Sequence, residues 1–201
     1  MIVQKLNFTL DIDELRQYYN TLLNDYDYLR WEWNREKDTI VDQWQTAVQK
    51  DPANLLTQGW AIQSNLKDLS IPCPPWNIST HETVEYRNTV LSFGVIEKLQ
   101  QLIPYGYRWS VSLQPPSGKV SLHSDQKDEL TVWIPIYTSG PVITFVTNKT
   151  EHNISLEADG SAYLLDTTIP HYTLNSSNCD RVAIIFRLNN KYKKDLIETH
   201  F

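Results

Sequence analysis

The sequence predicts a mainly β domain with a helical N-terminal cover, an α+β class whose core is a sandwich or barrel. Three observations carry this. Eight short stretches of strand-like pattern follow one another between Tyr105 and Asn189, each ended by turn residues. Helical spacing is confined to the first half of the 201-residue chain. No internal repeat, flexible linker or low-complexity run divides the chain, so it is read as one domain. In that domain 1–104 is the helical cover and support, 105–190 the β core, and 191–201 a basic C-terminal tail.

Asp11, followed three residues later by Glu14, reads as a capping box, and Leu15, Tyr18, Tyr19 and Leu22 then recur on one helical face. Residues 31–49 read as a second helix or irregular cover. A strand through 59–64 follows the turn at Asp51-Pro52. Pro72, Pro74 and Pro75 interrupt regular structure, and 89–102 reads as a further helix. The core strands are expected near 107–114, 119–124, 129–138, 141–147, 152–157, 161–166, 171–175 and 181–189. Gly118, Ser139-Gly140-Pro141, Asn148-Lys149, Asp159-Gly160 and Ser176-Ser177-Asn178 separate them.

Composition removes several functions. With 18 Lys+Arg against 24 Asp+Glu the net charge is −6, which opposes phosphate neutralisation, so no nucleic-acid partner is expected. No apolar run approaches the ~18 residues of a membrane span and the N-terminus lacks a signal-peptide core, so a soluble, cytoplasmic, membrane-free protein is expected. Two cysteines, Cys73 and Cys179, form no disulfide framework and are read as reduced thiols. Two cysteines also exclude a multi-Cys zinc module, so a metal site must draw on the five histidines and on carboxylates. Seven Trp and eleven Tyr suggest aromatic packing or a lined cleft. Trp31, Trp33, Trp44, Trp60 and Trp76 are read as packing of the cover on the sheet.

The most informative stretch is Val120-Ser-Leu-His-Ser-Asp125. Side chains two apart on a strand share a face, so His123 and Asp125 converge while Leu122 points away. His171, opening a later strand, is the candidate third ligand. Two imidazoles and one carboxylate on one side of a cation, with open positions opposite, form the facial arrangement of non-haem Fe(II) oxygenases. Arg181 lies ten residues after His171 at the mouth of the most apolar strand, where an unpaired charge is costly. Its guanidinium fork suits a carboxylate, and a small dicarboxylate reaching from Arg181 to the metal satisfies both features.

Two segments, Ser112-Leu-Gln-Pro-Pro-Ser-Gly-Lys-Val-Ser-Leu-His-Ser-Asp125 and His171-Tyr-Thr-Leu-Asn-Ser-Ser-Asn-Cys-Asp-Arg-Val-Ala-Ile-Ile-Phe186, resemble the Fe(II)/2-oxoglutarate oxygenases of the aspartyl/asparaginyl β-hydroxylase type. The resemblance covers about 105–189. It implies a double-stranded β-helix, a cupin-like jelly roll, with iron held by His123 and His171 and, in the general oxygenase pattern, by Asp125. It implies 2-oxoglutarate anchored by Arg181 and contacted by Ser112, with dioxygen as the other cosubstrate. Thr131 and Trp133 stand where the family often places an Arg and a His for the cosubstrate. The implied activity is hydroxylation of a C–H bond in an amino-acid or peptidyl Asp/Asn-like side chain, with a small-molecule or peptide substrate as partner.

Plainer readings accompany these. His123 with Asp125 also reads as a structural pair, and Arg181 as an ordinary ion pair with Asp166 or Asp180. Asn175 reads equally as a turn residue or as a support for His171, and Asp166 as a weaker support. His81, His152 and His200 read as surface residues. A metal-dependent cupin enzyme without 2-oxoglutarate and a non-catalytic cupin-like binding protein are the alternative functions.

Overall fold

The computed structural model describes residues 2–26, 29–34, 39–41, 57–64, 85–125 and 127–198. Among them, β1 (Val3–Thr9) and α1 (Ile12–Asp25) come first. Asp11 caps α1, its Oδ1 accepting from the backbone N–H of Asp13 at 2.8 Å and of Glu14 at 3.4 Å. The helix buries Leu15, Tyr18, Tyr19 and Leu22, as its periodicity requires.

Residues 31–49 do not begin as a helix. Their described part forms β2 (Leu29–Asn34) and β3 (Thr39–Val41), antiparallel strands with Glu32 opposite Val41. Aromatic and β-branched residues at Trp31, Trp33, Ile40 and Val41 favour the pleated backbone, and β4 (Thr57–Ala61) extends the sheet beside β2. The strand read at 59–64 is split into β4 and β5 (Gln63–Ser64), which pairs with β6 (Arg87–Asn88). The helix read at 89–102 begins only at Val95, as α2 (Val95–Leu102). Thr89 is held instead against the sheet, its N–H donating to the Ile62 carbonyl at 2.9 Å and its hydroxyl to the Ala61 and Ile62 carbonyls at 3.0 Å.

The core strands follow the reading closely: β7 (Tyr107–Gln114), β8 (Lys119–His123), β9 (Glu129–Tyr137), β10 (Ile143–Thr147), β11 (Thr150–Ile154), β12 (Ser161–Leu165), β13 (His171–Leu174) and β14 (Arg181–Asn189). Asn148 and Lys149, both with positive φ, close the two-residue β10–β11 hairpin. Gly160, at φ 89°, lets β12 start under the first strand, since a Cβ there would meet the Leu10 carbonyl oxygen at 2.0 Å. The chain continues past β14 as described structure to residue 198. A 3₁₀ turn (Asn190–Tyr192) and α3 (Lys193–Ile197) fold back, burying Leu196, and the Asn7 side-chain amide donates to the Ile197 carbonyl at 2.8 Å.

The main sheet has the order β1-β12-β9-β14-β7-β4-β2-β3 and the minor sheet β11-β10-β13-β8. From β7 onward the chain passes between the two sheets at nearly every connection, so the strands wind as a double-stranded β-helix. One apolar cluster joins α1 and α2 to the outer face of the main sheet through Val111, Ile134, Ile184 and Phe186. A second, with Ile143, Phe145, Tyr163 and Leu165, fills part of the space between the sheets. No helix among the described residues is long and apolar enough to cross a membrane.

Adjacent leucines of α1 test the packing. Leu22 is fully buried and Leu23 is 46% exposed. Leu22→Ala should cost about 2–5 kcal/mol in urea unfolding and Leu23→Ala no more than about 0.5 kcal/mol.

Candidate metal centre

The site begins with strand alternation. On β14, Val182, Ile184, Phe186 and Leu188 pack under the helices. Arg181, Ala183, Ile185 and Arg187 therefore face the other way and line a cavity between the sheets. On the neighbouring β7, Trp109, Val111 and Leu113 pack outward, and Arg108, Ser110, Ser112 and Gln114 line the same cavity. Its volume is about 200 Å³, several times the ~30 Å³ share of one water, so it is sized for a small ligand.

The minor sheet supplies the facing wall. His123 on β8 and His171 on β13 are directly paired across the two strands, with ring centroids 4.3 Å apart. The ladder carries one extra residue on β8 between Val120 and His123 opposite the step from Thr173 to His171. This bulge puts Val120 and His123, three apart, on the same inner side, whereas plain alternation places Val120 opposite His123. Leu122 points out and is 51% exposed. Asp125 lies beyond the end of β8, so strand alternation does not aim it. Its backbone N–H donates to the Thr167 carbonyl at 2.8 Å, and this bond folds the loop back over the cavity. His123, Asp125 and His171 thereby bring one candidate ligand atom each within 4.8 Å of one another.

The electrostatics suit a cation. His171 Nδ1 lies 2.9 Å from the Ile169 carbonyl, which fixes the proton there and turns Nε2 inward. Burial pushes the His171 pKa down from 6.5 to about 4, so the ring is neutral near pH 7. Burial alone would raise the Asp125 carboxyl; the Arg187 charge, its hydrogen bond and the Thr167 hydroxyl outweigh it and hold the group well below the usual carboxylate range. Asp125 Oδ2 is 2.5 Å from Arg187 Nη1, and Oδ1 is 3.7 Å from His123 Nε2.

Arg181 is 3% exposed, and among the described residues no carboxylate pairs with it, neither Asp166 nor Asp180. Its Nη1 donates to Gln114 Oε1 at 2.9 Å and the Val142 carbonyl at 3.0 Å; its Nη2 donates to the Pro141 carbonyl at 2.6 Å and the Leu174 carbonyl at 3.3 Å. Nε is buried without a partner. Burial lowers its pKa to about 10, so it stays a cation without a counter-charge. Such a group is a ready anion receptor.

Ser112 and Trp133 line the cavity. Thr131 is 1% exposed, and its hydroxyl is engaged by Thr167 at 2.7 Å and by Arg187 Nη1. Asn175 serves its turn: its amide donates to the Gln114 and Cys179 carbonyls and its oxygen accepts from Ser177. Asp166 accepts from the Thr168 hydroxyl at 2.6 Å. His152 is exposed and contacts Thr147, and Cys179 is a free, exposed thiol. Trp60 is fully buried in the main core, while His81, His200, Cys73, Trp44 and Trp76 lie outside the described residues. Sequence patterning does not single out Arg187, Arg108 or Thr167. A signal exists for Arg187, an even number of residues beyond Arg181 on one strand and thus on the same face.

The His171 shift sets a pH dependence. Between its folded value of about 4 and its ordinary 6.5 the unfolded chain binds more protons, so stability rises with pH across that window. In metal-free protein the unfolding free energy should fall by up to roughly 3 kcal/mol from pH 6.5 to pH 4. In urea titrations across that window, His171→Gln should flatten the decline.

No protein-family model matches the sequence, and no curated protein matches it. Solved structures share its backbone. The non-heme α-ketoglutarate-dependent epimerase SnoN from nogalamycin biosynthesis aligns with a TM-score of 0.54 at 13% identity, over 92% of this chain and 76% of that one. AviO1 from Streptomyces viridochromogenes Tue57 aligns with a TM-score of 0.51 at 12% identity, over 94% of this chain and 89% of that one. At these identities the likeness is one of fold, and it agrees with the sheet order: the chain is a double-stranded β-helix.

Proposed function

We propose that the chain is an Fe(II)- and 2-oxoglutarate-dependent dioxygenase that hydroxylates a C–H bond. The observation that carries this reading is one cavity lined both by the His123–Asp125–His171 cluster and by a buried arginine that has no acidic partner among the described residues. Two imidazoles and a carboxylate suit Fe(II) and leave positions open on one side. The orphaned Arg181 Nε is the buried donor that a carboxylate would satisfy. Iron with 2-oxoglutarate and dioxygen supplies the oxidising chemistry, with succinate and CO2 as the coproducts.

In this reading His123, Asp125 and His171 would hold the metal. Arg181 binds the far carboxylate of 2-oxoglutarate, and Ser112, on the adjacent strand opposite Ala183, contacts it. Val120, Ile143 and Ile185 wall the cavity and exclude water. Trp133 borders the space left for substrate. The resemblance of the 112–125 and 171–186 segments to the aspartyl/asparaginyl β-hydroxylase type supports an amino-acid or peptidyl side chain as the substrate, with a cytoplasmic location to match. SnoN, which shares the fold, is an α-ketoglutarate-dependent epimerase, and this supports the cosubstrate class.

One observation favours a second reading, a metal-dependent cupin enzyme without 2-oxoglutarate. Both Nη atoms of Arg181 already donate to protein acceptors, which leaves Nε as its only spare donor. Anaerobic 2-oxoglutarate binding to the Fe(II) protein, followed by succinate release in air with ascorbate, separates the two. The oxygenase reading expects both, with succinate abolished by His123→Ala. Arg181→Ala should weaken 2-oxoglutarate binding at least about tenfold, the value of a lost charged hydrogen bond, with metal affinity within about threefold. Metal binding without 2-oxoglutarate binding would establish the second reading, and binding of neither a non-catalytic protein.

A further inference from the structure

We propose that Arg187 is a positioning residue that limits Asp125 to presenting a single carboxylate oxygen to a cation shared with His123 and His171. The proposal rests on the metal reading above. Arg187 stands on the inner face of β14, paired across the ladder with Thr131 of β9. One nitrogen, Nη1, reaches Asp125 Oδ2 at 2.5 Å, Thr167 Oγ1 at 3.3 Å, and Thr131 Oγ1. The two threonine hydroxyls are themselves 2.7 Å apart, and both residues are almost wholly buried. The nitrogen that meets the carboxylate is thus held at the same point by two buried hydroxyls.

Thr167 contributes twice. Its hydroxyl touches Arg187, and its carbonyl takes the Asp125 N–H at 2.8 Å. The backbone and the far oxygen of Asp125 are therefore held by one cluster, and Oδ1 is the oxygen left facing His123. A carboxylate free of such a partner can turn both oxygens to a metal. On a six-coordinate cation with two imidazoles, two oxygens would leave two open positions and one oxygen leaves three. A cosubstrate that chelates through two atoms and a third small ligand need all three. Arg187 therefore acts on the number of open positions rather than on the strength of metal binding. An ordinary structural ion pair would not require the second oxygen to point at the histidines.

Co(II) alone serves as the probe, because its visible spectrum reports coordination. Relative to the parent protein, Arg187→Gln should bind Co(II) within about threefold yet show an altered visible spectrum before any 2-oxoglutarate is added. Its affinity for 2-oxoglutarate in the Co(II) form should fall at least about tenfold, the size of one lost charge-assisted contact. Arg187→Lys, which keeps a cationic donor, should restore the parental spectrum. Thr131→Val keeps the guanidinium and loosens its clamp; it should reproduce the spectral change to a lesser degree even if Arg187→Gln fails to fold. A parental spectrum in both Arg187→Gln and Thr131→Val overturns the proposal, as does a loss of Co(II) affinity with the spectrum unchanged. A parent protein that binds no Co(II) overturns the metal reading itself, a result distinct from a binding parent matched by its variants.

Discussion

The division of β7 and β14 into one apolar and one polar face is the constraint on which the remainder depends. These strands lie near the middle of the main sheet, and both of their faces are committed. One face must be apolar to hold the helices, with Trp109 stacked on Phe186 at 3.8 Å as its centre. The other face is then free to be polar, and it carries Arg108, Gln114, Arg181 and Arg187 into the interior. Buried polar groups on that scale are tolerable only when hydrogen-bonded. Each is partnered: Arg187 by Asp125 and two threonines, Arg181 by Gln114 and three carbonyls, Arg108 by Glu129 at 3.9 Å. The helical cover is thus more than a lid, since it absorbs the apolar half of strands whose other half builds the cavity.

Among the departures from a regular ladder, two lie beside charged or metal-cluster residues of the cavity. One is the extra residue in β8. The other is Arg108, whose φ of 55° goes with an extra residue on β7 opposite the step from Ile185 to Arg187. A left-handed non-glycine backbone costs on the order of 1–2 kcal/mol. It is held here by the buried Trp109 next to it and by Glu129, which also accepts from the Tyr107 hydroxyl at 2.7 Å. Local backbone cost is concentrated where side chains must be re-aimed, a common property of functional rims.

The eight core strands were legible because period-two patterning and turn residues such as Asn148-Lys149 and Asp159-Gly160 act locally. The cap of α1 was legible for the same reason. The convergence of His123, Asp125 and His171 was also foreseeable, but for a partly different cause. Spacing assigns the convergence to strand alternation, while a bulge and the Asp125 N–H bond to the Thr167 carbonyl do the aiming. Long-range pairing was hidden. β1 reaches Ser161–Leu165 only through the fold, and Thr89 gives up helix for a carbonyl pair on Ala61 and Ile62. For Arg187 the spacing from Arg181 gives the strand face, but nothing local tells an arginine beside an aspartate from one in solvent. Its partner is 62 residues away.

The bulge in β8 has a second effect. β8 forms the rim of the minor sheet, and β13 is its one strand neighbour among the described residues. Nearby, Leu122 and Leu174 are 51% and 46% exposed. A flat rim with apolar side chains is an invitation to strand addition by another chain. The extra residue breaks the even row of N–H and C=O groups that an incoming strand would need to match. The irregularity that turns His123 inward thus also breaks the regular border that β8 presents among the described residues, so one local distortion serves both the imidazole and the edge.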